Sequence, residues 1–135
     1  MTFKTIAASA IGATLIAAAV PALAKDTTQT VRFKAGASSA SISGKLKGYD
    51  VVTYVLDSQA GQMLHVLFSP NHNSCYFNFT HPGANAADFM GDVSGNELSM
   101  RLSKSGKHTA QVYLMRSAAR RGETCKYTIS FEITG

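Results

Sequence analysis

Within residues 126–134, Tyr127, Ile129, Phe131 and Ile133 fall on one face of an extended chain, and Lys126, Thr128, Ser130 and Glu132 fall on the other. Side chains of a strand point alternately to opposite faces, so this period of two describes a sheet with one face on a core and one in water. The pattern recurs in short segments from Val31 onward, separated by glycine, asparagine and serine clusters, and nowhere does a 3.6-residue period persist for three turns. Strands are predicted at 30–34, 41–47, 51–56, 63–69, 75–80, 88–93, 97–102, 108–115 and 126–134. Turn residues lie between them, among them Gly61, Pro82 with Gly83, Gly95 with Asn96, and Gly106. The class is all-β, and two sheets each hiding one face give an antiparallel β-sandwich of about eight strands. Phe33, Tyr54, Phe68, Phe77, Phe79, Tyr113 and Phe131 are read as core and sheet-face residues rather than a base-stacking platform.

The first residues follow different rules. Lys4 precedes an almost unbroken small and apolar run over 6–20, and Ala22, Leu23 and Ala24 form an A-x-A cleavage site. Residues 1–24 are therefore expected to be a cleaved signal peptide, with residues 25–135 as one exported domain. The run is too short and too rich in alanine for a membrane span, so no stable membrane insertion is expected. Cys75 and Cys125 are the two cysteines of the chain, and in an oxidising compartment an even pair most simply forms one disulfide. The rival reading is metal: His72, Cys75 and His81 are close in sequence, but H-x2-C-x5-H lacks paired ligand spacing and its middle reads as strand. No metal and no cofactor are expected.

Catalytic motifs are missing: there is no G-x-S-x-G, H-E-x-x-H, phosphate loop or dinucleotide glycine pattern. Asp88 and Asp92 are the nearest acidic pair, on a predicted strand with spacing unsuited to acid–base work. His65, His72, His81 and His108 are dispersed and read as residues with local hydrogen bonds. The sequon at Asn78 falls in a predicted strand and reads as chance. The chain is not expected to be an enzyme. Its formal charge of +5 is basic without the long cationic stripe of a nucleic-acid binder, so no nucleic-acid partner is expected.

Positive charge is concentrated between the last two strands. Residues 113–124 are expected to form a loop presenting Arg116, Arg120 and Arg121, whose guanidinium forks match carboxylates or phosphates. A second polar cluster comprises Ser38, Ser39 and Ala40, then Ser43 and Gly44, then Lys47, Gly48, Tyr49 and Asp50. Its last three residues read as a turn exposing an aromatic hydroxyl and a carboxylate.

Taken in this order, these segments and the later Arg116, Ala119 and Arg120 resemble the periplasmic inhibitors of g-type (goose-type) lysozyme of Gram-negative bacteria. That family has S-S-A leading to S-G-x-x-K-G-Y-D and a late R-x-x-A-R loop. The resemblance extends over about 31–133. The predicted sandwich also looks like small β-domains appended to secreted peptidases. Two features depart from the inhibitor pattern: the cysteine pair, and the continuation of the loop through Arg120, Arg121 and Gly122.

The resemblance implies a non-catalytic periplasmic protein that plugs the cleft of a g-type lysozyme. Arg116 and Arg120 would meet cleft carboxylates, with Arg121 beside them. Tyr49 would be an aromatic anchor, and Ser38, Ser39 and Asp50 would supply positioning hydrogen bonds. The competing role is a cell-envelope or accessory sandwich that binds glycan or an anionic polymer through the same basic loop.

Overall fold

Each alternating strand leaves an apolar face that needs a partner, and the chain meets that need with two facing sheets. The structure, a computed structural model, describes residues 23–135. The expected signal peptide therefore lies outside the described residues, except for Leu23 and Ala24. The strands are β1 (Asp26–Thr30), β2 (Ser39–Lys47), β3 (Val51–Ser58), β4 (Met63–Pro70), β5 (Cys75–Thr80), β6 (Phe89–Met90), β7 (Glu97–Arg101), β8 (Gly106–Leu114) and β9 (Thr124–Thr134). Two helical turns interrupt them, α1 (Gly91–Ser94) and α2 (Arg116–Arg120). One sheet runs β1-β3-β8-β5-β6 and the other β2-β9-β4-β7.

The inner faces follow the period-two pattern. Leu64, Val66 and Phe68 of β4 and Tyr127, Ile129 and Phe131 of β9 meet Tyr54 and Leu56 of β3, Phe77 and Phe79 of β5, and Val112 of β8, all buried. The Tyr54 and Tyr127 hydroxyls lie 2.7 Å apart and join the two sheets through the middle of this core. Gly44 stands opposite Tyr127 in the β2–β9 ladder, and a Cβ there would overlap the tyrosine ring and hydroxyl. The glycine of the S-G pair thus makes room for a core aromatic.

Cys75 and Cys125 are bonded, with Cα atoms 6.3 Å apart, and tie β5 in one sheet to β9 in the other. A loop of this length corresponds to about 4 kcal/mol in the chain-entropy model, an upper-end figure. His65, His72 and His81 each bond a carboxylate, on Glu97, Glu123 and Asp88 respectively. His108 is fully buried and stacked on Phe79.

Three local expectations are corrected. The first strand occupies Asp26–Thr30 rather than 30–34, and it pairs parallel to β3, whereas every other pairing is antiparallel. Its DTTQT sequence has no apolar alternation and is wholly exposed, so backbone pairing at a sheet edge defines it. The strand expected at 88–93 shrinks to Phe89–Met90 and turns into α1, where Gly91 presses on the Phe77 backbone too closely for a side chain. The arginine segment is not an extended loop but contains α2.

Candidate functional site

Strand polarity decides which of the sequence-predicted residues meet. β2 runs from Ser39 to Lys47, and at roughly 3.3 Å per residue its ends are about 27 Å apart. Ser39 pairs with Glu132 near the end of β9, and the Ser38 carbonyl accepts the Ile133 amide at 2.9 Å. Tyr49 and Asp50 follow the other end of β2, where Lys47 pairs with Thr124 at the start of β9. The fold thus brings Tyr49, Asp50, Arg116, Arg120 and Arg121 to one end of the sandwich and leaves Ser38 and Ser39 at the opposite end.

Residues 115–123 curl into a helical turn because Ala118 and Ala119 have somewhere to go: both are buried beneath it. The Ala119 amide bonds the Met115 carbonyl at 2.9 Å, and the turn closes with Gly122 to Ala119 at 2.9 Å and Glu123 to Ala118 at 3.2 Å. Gly122 sits at φ 70°, the left-handed conformation that ends helices and favours glycine. Arg116 and Arg120, four apart on this turn, share a face and are exposed. Among the described residues neither pairs with a carboxylate.

Arg121 is already engaged, in an ion pair at the surface. Its Nε donates to Glu123, whose other oxygen bonds His72 Nε2 at 2.6 Å. The Arg121 bond, then the His72 bond, hold the Glu123 carboxyl below its ordinary range, and the same Glu123 contact raises Arg121. The base of the segment is fixed on both sides. Leu114 at the end of β8 pairs with Cys75, Met115 N bonds Ser74 O at 2.8 Å, and Cys125 follows directly after Thr124. The disulfide therefore closes the foot of the arginine turn.

The turn at 48–50 packs against this structure. The Gly48 amide donates to the Glu123 carbonyl at 2.9 Å, and Gly48 is buried at φ 61° with the Ala119 carbonyl beside the position a Cβ would take. Asp50 receives the Lys25 amide at 2.9 Å and the Lys47 amide at 3.2 Å. Between these two fixed residues Tyr49 projects outward, 55% exposed.

Two grooves flank Tyr49. One, about 530 Å³, leads past Lys47 and Lys25 to Arg120. The other, about 510 Å³, leads past Gln111 and Tyr113 to Met115 and Arg116. Burial, reinforced by the Asp92 carboxylate, raises the Tyr113 hydroxyl above its usual range, so it stays protonated and donates to Asn78 Oδ1 at 3.2 Å. Gln111 and Met115 are surface contributors that sequence reasoning did not single out, and Tyr113, read there as a core or sheet-face residue, joins them; the signal is their alternation with the buried His108, Ala110, Val112 and Leu114. A larger open groove, about 650 Å³, crosses the outer face of β2, β9 and β4 between Lys45 and Lys126. It lacks Arg116, Arg120 and Tyr49 and is a sheet surface rather than a loop-built site. Among the described residues no cluster of histidine, cysteine and carboxylate groups is placed to hold a metal, and no helix is long and apolar enough to cross a membrane.

Comparison with known proteins gives this geometry its context. No protein-family model matches the chain. Over 106 residues, 76% of this chain and 78% of the relative, it is 33% identical to the inhibitor of g-type lysozyme of Escherichia coli strain K12. Its fold matches the crystal structure of Aeromonas hydrophila PliG, a periplasmic inhibitor of g-type lysozyme, with a TM-score of 0.76 and 35% identity over 83% of this chain and 100% of that one. The Salmonella Typhimurium PliG structure matches with a TM-score of 0.64 and 29% identity, again over 83% of this chain and 100% of the other. The pre-peptidase C-terminal domain of a Bacillus anthracis collagenase shares the fold alone, at 13% identity and a TM-score of 0.52 over 85% of this chain and 100% of that domain.

Proposed function

This chain belongs to the family of inhibitors of g-type lysozyme, and we propose that it acts in the periplasm by seating α2 and the turn at 48–50 in the cleft of such an enzyme. The observation that carries the proposal is the pairing of two exposed arginines, Arg116 and Arg120, with an exposed Tyr49 across two grooves at one end of a rigid sandwich. Glycoside hydrolysis is carried out, in most enzymes, by carboxyl groups flanking the scissile bond. A guanidinium entering such a cleft forms charge-assisted, bidentate hydrogen bonds with a carboxylate, and these strengthen as water is expelled. Arg116 and Arg120 take that part. Neither must first break an internal ion pair.

Tyr49 adds an apolar ring with a polar tip, the kind of side chain that anchors protein interfaces. Asp50 positions Tyr49 from behind by holding two backbone amides. Arg121 supports the site through Glu123 instead of reaching the partner. Because the loops are held by the disulfide and by main-chain bonds, little ordering remains to oppose binding. The disulfide also suits an oxidising exported compartment. Lys25, Lys45, Lys47 and Lys126 surround this end and favour approach to an acidic cleft.

The test is residual g-type lysozyme activity against graded inhibitor, with thermal unfolding as a check on the fold. Arg120→Ala and Arg116→Ala are each expected to weaken inhibition by about 2–5 kcal/mol, the usual cost of truncating one side of a buried hydrogen-bonded charge pair. Lys104→Ala, at the remote end, is expected to match the parent. Full lysozyme activity at micromolar excess of parent protein defeats the inhibitor reading and favours a glycan or anionic-polymer ligand. Inhibition that survives both arginine substitutions moves the contact surface elsewhere.

A further inference from the structure

The main chain of Lys25 lies where the sequence expects the leader to be removed. Lys25 N is 2.9 Å from Asp50 Oδ1, and Lys25 O accepts the Val51 amide at 2.8 Å, starting the parallel ladder between β1 and β3. The other Asp50 oxygen holds the Lys47 amide. One carboxylate thus ties the beginning of β1 to the residue that precedes the Gly48 turn, with Tyr49 between the tied points. Asp50 is also the carboxylate in the groove that it shares with Lys25, Lys45, Lys47 and Arg120. The two residues preceding Lys25, Leu23 and Ala24, line that same groove together with Tyr49 and Arg120, and Leu23 is 87% exposed.

We infer that cleavage of the peptide bond between Ala24 and Lys25 completes the docking surface: it clears the Tyr49–Arg120 groove and makes the Lys25 α-ammonium a positioning group for Tyr49 through Asp50. This rests on the lysozyme-docking reading for its functional consequence, while its structural half stands apart from it. The covalent step is hydrolysis by the export machinery's leader peptidase. Water adds across the C–N bond, the hydroxyl goes to the Ala24 carbonyl carbon, and the new carboxylate leaves with the leader. The nitrogen of Lys25 takes the hydrogen and binds a further proton, since a free α-amine has a pKa of about 7.7–8.0. A neutral amide that offered one hydrogen to Asp50 becomes a cation that offers three. Hydrogen bonds between two ionised groups are roughly twice as strong as neutral ones. The uncleaved precursor has both a weaker tie at Asp50 and chain lying over the site.

Three forms of the protein separate these effects: one beginning at Lys25 with a free amine, one beginning at Lys25 with an acetylated α-amine, and one retaining Leu23 and Ala24. Thermal unfolding and lysozyme inhibition are measured for each. The free-amine form is expected to unfold about 2–6 °C above the other two, and Asp50→Asn is expected to remove most of that gap. Inhibition is expected to be at least about tenfold weaker for the form retaining Leu23 and Ala24, with the acetylated form between the extremes. Equal unfolding temperatures for the free and acetylated forms, or a gap that persists in Asp50→Asn, overturn the ion-pair role. Equal inhibition by the extended and free-amine forms overturns the masking role. An exported protein whose mass shows a first residue other than Lys25 overturns both. If no form inhibits any g-type lysozyme, the docking reading fails by itself, and the unfolding temperatures still decide the ion pair.

Discussion

At the end of the sandwich where β2 finishes, Arg116, Arg120 and Tyr49 stand on a helical turn and a tight turn that are bonded to each other and footed by a disulfide. At the end where β2 begins, Arg101 closes β7, Lys107 lies at the start of β8, and Lys104 stands on the turn between them. There, Arg101 Nη1 donates to the Gly61 carbonyl at 2.6 Å, and Lys107 lies 3.7 Å from Asp57 in an exposed pair. Both ends are basic, so charge alone does not separate them. They differ in what holds the charge and whether it is already engaged: the first end has free guanidinium groups on a braced support, the second has cations used locally or standing alone on a turn. What sets the proposed binding surface apart is its bracing.

The largest expected effect breaks that bracing. Replacing Cys75 and Cys125 together by alanine is expected to cost about 2–5 kcal/mol in chemical denaturation, the usual range for a native bridge in a small secreted domain. Hydrogen exchange should then accelerate most in 115–124 and least in the turn at 59–62; uniform acceleration would mean that the disulfide braces the whole sandwich equally.

A smaller and more local effect is expected from two matched glycines. Gly48 and Gly36 have positive φ, 61° and 79°, at opposite ends of the molecule. Alanine at either is expected to cost about 1–2 kcal/mol of stability from backbone strain. Gly48→Ala places its strain in the turn that carries Tyr49 and lies in ordinary contact with the Ala119 carbonyl, and should weaken lysozyme inhibition, whereas Gly36→Ala, facing open space, should not. Equal inhibition by both variants would disconnect the turn at 48–50 from function.

A still smaller contrast appears with pH. Glu123 is held below its ordinary value of 4.5, first by Arg121 and then by His72. A depressed carboxyl adds stability above the unfolded value and loses it as pH falls through the folded value. The unfolding-temperature gap between parent and Glu123→Gln should therefore be full near about pH 6 and shrink as the pH drops below about 4. A gap that is constant across that interval would remove the ion pair from the account of the support. The smallest effect is expected at Ser38 and Ser39: alanine at each should leave inhibition unchanged, and a loss there would place a contact at the far end.

The legibility of the molecule in its sequence follows the same division. β5 and β9 are readable because each alternates apolar with polar residues, which is the pattern of a strand over a core, and β4 because it is a short apolar run bounded by turn residues. β1 is not, since a wholly exposed edge strand held by backbone pairing writes no apolar pattern. α2 reads as loop because five residues give too few turns for a helical period, and the burial of Ala118 and Ala119 that stabilises it comes from tertiary packing. The arginines and Tyr49 were found as a local cluster of special residues, and the fold brings them to one end. Ser38 and Ser39 joined them through motif order, which carries no information about how far a strand separates its two ends. Arg121 was grouped with its neighbours by charge, yet Glu123 and His72 determine where it points.

The hydroxyl bond between Tyr54 and Tyr127 has an optical consequence. The chain has no tryptophan and five tyrosines, so tyrosine dominates its near-ultraviolet absorption. Burial raises both hydroxyls of the inter-sheet pair above the ordinary phenol range, Tyr127 the further of the two, while Tyr49 stands in solvent. Phenolate colour from the inner two must wait until the sheets part. An alkaline titration followed by absorbance thus reads the opening of the sandwich without any attached dye.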